Sequence, residues 1–342
     1  MTNKERFHRT AERKPVDRPA SWLGMPDAEA LPGLLSHFKV KTIDELRRAI
    51  DDGIYPVELP CDFPGNRAIY AALQFAKIES NRALTEPGFF ENYTDPEKIS
   101  DFPWPDPTKH IHPEACRAAV ESTPSDRAVM GVLWSAHFQD TLSAFGMEMA
   151  LMKLIEEPEM FMAVTNRIVD FYLEANRVFY EAAYKKLDAV LIGNDFGTQL
   201  SLIMSADMIR EYVLPGTKAL VQQAKEYGLK VMHHACGAIS EIIPDLAEIG
   251  VDIVHPIQAL AVDMEPASLK TRFGDRISFC GGVDTQHLLV NDTPEKVKAK
   301  VRELKEIFPT GLIISPGHEA ILPDVNPANV QALFDAVKSE AE

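Results

Sequence analysis

Residues 189–199 read AVLIGNDFGTQ, and this stretch decides the fold. Ala189 to Ile192 is an unbroken apolar run, short enough for a strand and with no polar alternation, so it is buried on both faces. It then breaks at once into Gly193-Asn194-Asp195-Phe196-Gly197-Thr198-Gln199. The same figure, an apolar run closed by a polar or small cluster, recurs downstream. Lys230 to Met232 runs into His233-His234-Ala235-Cys236-Gly237, and Asp252 to Val254 into His255-Pro256-Ile257-Gln258. Ile277 to Phe279 runs into Cys280-Gly281-Gly282-Val283-Asp284-Thr285-Gln286-His287, and Leu312 to Ile314 into Ser315-Pro316-Gly317-His318-Glu319. Ala128 to Trp134 is a further buried run upstream.

Helical segments separate these runs. Gly146 to Lys186 carries apolar residues at three- and four-residue intervals. Ser205 and Thr293 are expected N-caps, and Thr293-Pro294 and Asn326-Pro327 put proline at a first helical position. Strands alternating with helices imply a parallel sheet. At least five such units fit a closed (β/α)₈ barrel better than an open sheet. A doubly wound sheet is disfavoured because no glycine-rich phosphate loop follows a strand, and Gly281-Gly282 is too short for one.

The expected organisation is one α/β domain, a TIM barrel over residues 1–342. Residues 1–126 form an irregular N-terminal cap and the first barrel elements, and 127–342 the main barrel units. The proline-rich stretch Phe102 to Pro113 (FPWPDPTKHIHP) reads as a surface crossing from the cap to the barrel.

Composition narrows the function classes. The chain has 342 residues, enough to bury a large core without disulfides. Its four cysteines, Cys61, Cys116, Cys236 and Cys280, are widely spaced and do not read as a secreted framework. The first residues carry no apolar signal segment, and no apolar run is long enough for a membrane span, so a cytoplasmic location is expected. There are 35 basic and 51 acidic residues, a formal net charge of −16. Such a surface repels nucleic acid and anionic membranes, which leaves a small-molecule substrate or a protein partner.

In a barrel the strand ends meet at one mouth, where active sites form. Five of the ten histidines fall in the second half, all at or just past a strand end. His234 and Cys236 are two apart, so on a strand both point to one face, and imidazole with thiolate suits zinc. The competing reading is a buried neutral cysteine beside a histidine that bonds a loop carbonyl. Cys280 ends another strand and would complete a three-ligand catalytic site, although cysteine is also a common small core residue. His318 is a candidate ligand, acid/base or substrate contact, against a role in fixing the terminal loop. Asp195 is a candidate ligand orienter or proton acceptor, against a strand-end cap. Gln199, Gln258 and Asp284 are candidate substrate hydrogen-bonding groups. Trp22 and Trp134 are candidate pocket walls, although tryptophan is more often core. His233 should face away from His234. A serine nucleophile is unsupported, since there is no G-x-S-x-G elbow.

Several motifs together resemble the superfamily of uroporphyrinogen decarboxylase and the corrinoid-dependent methyltransferases. They are Gly193 to Gln199, His234-Ala235-Cys236-Gly237, Ile249 to Gln258, Gly281 to Gln286, Pro316-Gly317-His318 and Pro323-Asp324-Val325 with Asn329. Arg13 to Pro19 and Phe102 to Pro107 are also similar to this group. The resemblance implies the same barrel. Decarboxylases carry an N-terminal arginine pair for a polycarboxylate substrate. Trp22-Leu23-Gly24-Met25-Pro26 stands there instead. The methyltransferase branch resembles the chain better, and implies zinc held by a His-x-Cys pair and a later cysteine near the last strand. His234 and Cys236 match the pair, and Ile314 to His318 occupies the later place without a cysteine. That leaves Cys280, taken as the third metal residue, with His318 the alternative.

The expected activity is zinc-dependent methyl transfer between a small molecule of methoxy, methylamine or thiol type and a corrinoid (cobalamin) on a partner protein. The alternatives are uroporphyrinogen decarboxylation and a catalytically degenerate ligand-binding barrel. Decarboxylase relatives also suggest a homodimer.

Overall fold

The computed structural model describes residues 1–62 and 87–339. The part of the expected cap at 63–86 lies outside the described residues. Eight parallel strands form one curled sheet in the order β1-β8-β7-β6-β5-β4-β3-β2. They are β1 (Ala20–Ser21), β2 (Ile54–Glu58), β3 (Ala128–Trp134), β4 (Ala189–Gly193), β5 (Lys230–His234), β6 (Ile253–Ile257), β7 (Ser278–Val283) and β8 (Leu312–Pro316). The two edge strands come together where Gly53 N–H donates to Ser21 O at 3.0 Å, and Leu23 N–H to Asp52 Oδ1 at 3.1 Å. The architecture is the expected (β/α)₈ barrel.

Side-chain parity divides the core in two. Ala128, Met130, Val132, Ala189, Leu191, Met232, Ile253, Cys280 and Ile313 point inward and fill the barrel with Phe7, Trp22 and Ile54. The residues of opposite parity, such as Val129, Val190, Ile192, Val231, Val254, Phe279 and Ile314, pack outward against the helices. A filled interior makes the barrel a packed core and confines chemistry to its mouth.

Three expectations need correction. The long helical run from Gly146 to Lys186 is two helices, Met147–Glu156 and Pro158–Ala182, because Pro158 has no N–H to donate and starts the second; a separate helix, His137–Phe145, precedes them. Thr293 stands at the expected N-cap position but makes no capping hydrogen bond, whereas Ser205 Oγ accepts Met208 N–H and Asn326 Oδ1 accepts Ala328 N–H. The stretch from Phe102 to Pro113 is more than a surface crossing, and it joins β2 to β3. Its Phe102 and Ile111 are buried, and Trp104 stacks on Phe90 with ring centroids 5.6 Å apart. Among the described residues no helix is long and apolar enough to cross a membrane.

Candidate active site at the barrel mouth

Register brings the strand ends level. Gly193 of β4 stands opposite His234 of β5, and His234 opposite His255 of β6. Met232 points inward, so His234 does too, while His233 takes the outward parity and stacks on Phe196 with centroids 5.4 Å apart. Burial, with the charge of His234 next, pushes His233 down to about 3. At Gly193 a Cβ would lie 2.7 Å from His234 Cβ, so only glycine lets the two strands end side by side here.

Past β5 the chain turns at Gly237, whose φ of +84° is left-handed. A Cβ there would meet Thr198 O at 2.3 Å. This close contact seats the loop after β5 on the loop after β4. Cys236 N–H then donates to Asp195 Oδ1 at 2.9 Å. Gln258 Oε1 accepts from both Gly237 N–H and Gln199 Nε2, each at 2.9 Å, and so ties in the loop after β6.

His234 is the hub. Its Nε2 lies 3.3 Å from Cys236 Sγ and 3.3 Å from Asp195 Oδ1. Its Nδ1 lies 3.0 Å from His255 Nδ1 and 3.4 Å from Glu319 Oε2. His318 joins from the loop after β8, ring to ring with His234 at 5.9 Å. One donor atom each from His234, Cys236 and His318 lies within 4.8 Å of the others, an arrangement able to hold a metal ion. A second such set, His234, His255 and Glu319, shares the central imidazole.

Electrostatics in the cluster favour charge separation. Burial disfavours a charged His234, but Asp195 and the Cys236 thiol outweigh it and raise the imidazole well above its ordinary value. Burial likewise opposes ionisation of Asp195 and of Cys236. His234 nonetheless draws the Asp195 carboxyl below its usual range, and His234 with His318 lowers the Cys236 thiol. The cluster is thus a thiol biased toward thiolate between two imidazoles biased toward imidazolium.

Trp134 closes one side, its ring edge-on to His234 at 5.4 Å and 87°. It ends β3 past a register shift, and both Trp134 (φ 62°) and Ser135 (φ 53°) are left-handed without being glycine. Each such residue costs on the order of 1–3 kcal/mol, and such strain gathers at functional sites.

Not every expected residue joins the cluster. Cys280 does not: it is fully buried in the filled interior, in one layer with Met232 and Ile313, and burial pushes its thiol far up. Trp22 is also fully buried in that layer, edge-on to His255 at 5.1 Å, and has no face open to a substrate. The Asp284 carboxylate is spent on the backbone N–H groups of Gln286, His287 and Leu288. Asp195, His234, Cys236 and His318 do come together, with Gln199 and Gln258 beside them. Trp134, expected as a pocket wall, does flank the cluster. Sequence reasoning missed His255 and Glu319. The parity of His255 with inward Ile253 was the available signal for the first; nothing local marks Glu319.

The family model described as "Uroporphyrinogen decarboxylase (URO-D)" matches residues 77–340. Among curated proteins, uroporphyrinogen decarboxylases of Chlorobium phaeovibrioides and Chlorobium luteolum are 33% and 32% identical over 163 residues. Each match covers 45% of this chain and 42% of the relative, so the chain spans less than half the length of these proteins. Among solved structures, a methyltransferase from Methanosarcina mazei superposes with a TM-score of 0.69 at 16% identity, covering 98% of both chains. At that identity the likeness concerns the fold. With the family match spanning most of the chain, the protein belongs to the uroporphyrinogen decarboxylase family, which includes both decarboxylases and methyltransferases.

Proposed function

We propose that the protein is a zinc-dependent methyltransferase that moves a methyl group between a small molecule and a corrinoid carried by a partner protein. The observation that carries this reading is the convergence of His234, Cys236 and His318 at the mouth, with donor atoms within 4.8 Å of one another. Two imidazoles and a thiol are a donor set that zinc favours, and three protein ligands leave a fourth position for substrate. The 3.3 Å between His234 Nε2 and Cys236 Sγ is near the roughly 3.5 Å spanned by two donors on a tetrahedral zinc. His318 thus takes the place first given to Cys280.

Zinc, when bound, acts as a Lewis acid that turns a thiol into a thiolate or polarises an ether or amine leaving group. The chain's own groups do the rest. Asp195 holds the Cys236 amide and faces His234 Nε2, so it fixes the loop that carries Cys236. Trp134 shields one flank from water. Gln199, at the rim, offers its amide to a substrate. Exposed Leu200, Leu260 and Leu322, on the loops after β4, β6 and β8, favour a protein partner docked over the mouth.

The names of the curated relatives favour a second reading, decarboxylation of a porphyrinogen. A polycarboxylate needs cations to hold it. The charged side chains touching His234 include the carboxylates of Asp195 and Glu319, which would repel it. The test is methyl transfer between free methylcobalamin and a small thiol, followed by corrinoid absorbance. His234→Ala and Cys236→Ser, with intact fold, should each abolish it. Wild-type rates in both variants would end the proposal.

A further inference from the structure

Glu319 follows His318 on the loop after β8, and the donor set above makes no use of it. Its Oε2 lies 3.4 Å from His234 Nδ1 and 3.2 Å from His318 Nδ1. The same oxygen is buried and makes no aligned hydrogen bond, so it is an acceptor waiting for a donor. Its backbone is clamped from the β1 side, where Met25 N–H donates to Glu319 O at 2.6 Å and Asp27 N–H to Ile321 O at 3.0 Å. A side chain on so fixed a loop is placed, not merely present.

An imidazole can give one ring nitrogen to a metal only if the other carries the proton, and that N–H needs an acceptor. For His234 the nitrogen facing Cys236 is Nε2, so the proton belongs on Nδ1. Two groups stand there, His255 Nδ1 and Glu319 Oε2. A carboxylate is the stronger acceptor and stands beside both rings, whereas His255 has one lone pair to offer and faces His234. At His318, Ala320 N–H points at Nδ1 from 3.1 Å, an arrangement suited to a bare nitrogen. Once Nδ1 of His318 carries the proton, Glu319 is the acceptor within reach.

We propose that Glu319 is a positioning residue whose carboxylate accepts from Nδ1 of both His234 and His318 and turns both rings toward Cys236. This rests on the zinc reading and goes beyond its ligand set: the site is a trio of donors on a shared carboxylate. Asp195 cannot substitute, since it lies on the Nε2 side of His234 and is committed to the Cys236 amide.

The test uses the full chain and two substitutions, with zinc affinity read by competition against a chromophoric chelator. Glu319→Leu removes the acceptor at similar volume. It should bind zinc roughly 10–100-fold more weakly, as loss of an outer-shell partner does elsewhere. The metal-free variant should melt as the wild type does. Glu319→Gln keeps an oxygen acceptor and should recover part of the affinity. The visible bands of the cobalt(II)-loaded protein should shift in the order wild type, Gln, Leu. Wild-type affinity and an unshifted cobalt spectrum in Glu319→Leu would overturn the inference while leaving the zinc reading standing. A wild-type chain that binds neither metal would overturn that reading, and this inference with it. If Glu319→Leu does not fold, Glu319→Gln decides: intermediate affinity supports the role, and wild-type affinity with an unshifted spectrum removes it.

Discussion

Gly237→Ala tests whether the seating of one loop on another sets the site. Gly237 has φ +84°, a conformation that costs an alanine about 1–2 kcal/mol. The added methyl would lie 2.3 Å from Thr198 O, 2.7 Å from Gly197 C and 2.8 Å from Thr198 C. All three are backbone atoms, so no side-chain rotation relieves the contact and the loops must part. Overpacking of this kind costs about 1–3 kcal/mol. Parting them also strains the bonds Ala238 N–H to Thr198 O at 2.8 Å and Gly237 N–H to Gln258 Oε1 at 2.9 Å. The sum is a loss of about 2–5 kcal/mol in equilibrium urea unfolding followed by circular dichroism. Gly228→Ala is the control. It has φ +75° but nothing within 4 Å of the added methyl, so it should lose only the backbone cost of about 1–2 kcal/mol. Equal losses in the two variants would refute the claim that loop contact, rather than backbone conformation, holds Cys236 beside Asp195.

Two further outcomes follow from buried charge. Burial pushes His137 down to about 3, below the value of an unfolded histidine near 6.5. The folded state therefore binds fewer protons than the unfolded one between those values. His137 contributes stability that is intact above about pH 6.5 and is lost, at about 1.4 kcal/mol per pH unit, as pH falls toward 3. His137→Gln should flatten the acid limb of stability against pH by that slope, and an unchanged slope would count against a neutral buried ring. Arg47 and Asp52 form a buried pair between Gly24 and Leu23, so Asp52→Ala should cost about 3–5 kcal/mol in the same unfolding assay. Arg47→Met with Asp52→Leu should cost less than Asp52→Ala alone; a larger loss would show that the pair itself is stabilising.

The fold was legible where the chain is buried on both faces. Continuous apolar runs marked β3 to β8 to within a few residues, because inner strands of a filled barrel have no solvent side to encode. The first two strands were not marked. Ala20–Ser21 is too short to carry a pattern, and Pro56 interrupts the strand signal of Ile54–Glu58. The candidate site was legible in parity: spacing of two placed His234 and Cys236 together and His233 opposite. The third donor was left open between Cys280 and His318. Cys280 and His234 share the inward parity, and only the filled layer around Cys280 separates a core thiol from a mouth residue. Glu319 and Trp134 reach His234 through the path of loops and a left-handed backbone, neither of which any short stretch of sequence encodes.

The most direct test of the account is elemental analysis of the full chain, purified without chelator under reducing, oxygen-free conditions. The account predicts about one zinc per chain, as a single catalytic site of this donor type requires, retained in Cys280→Ser and lost in Cys236→Ser. Absence of metal from the reduced wild-type protein, with no uptake when zinc is added back, would contradict it.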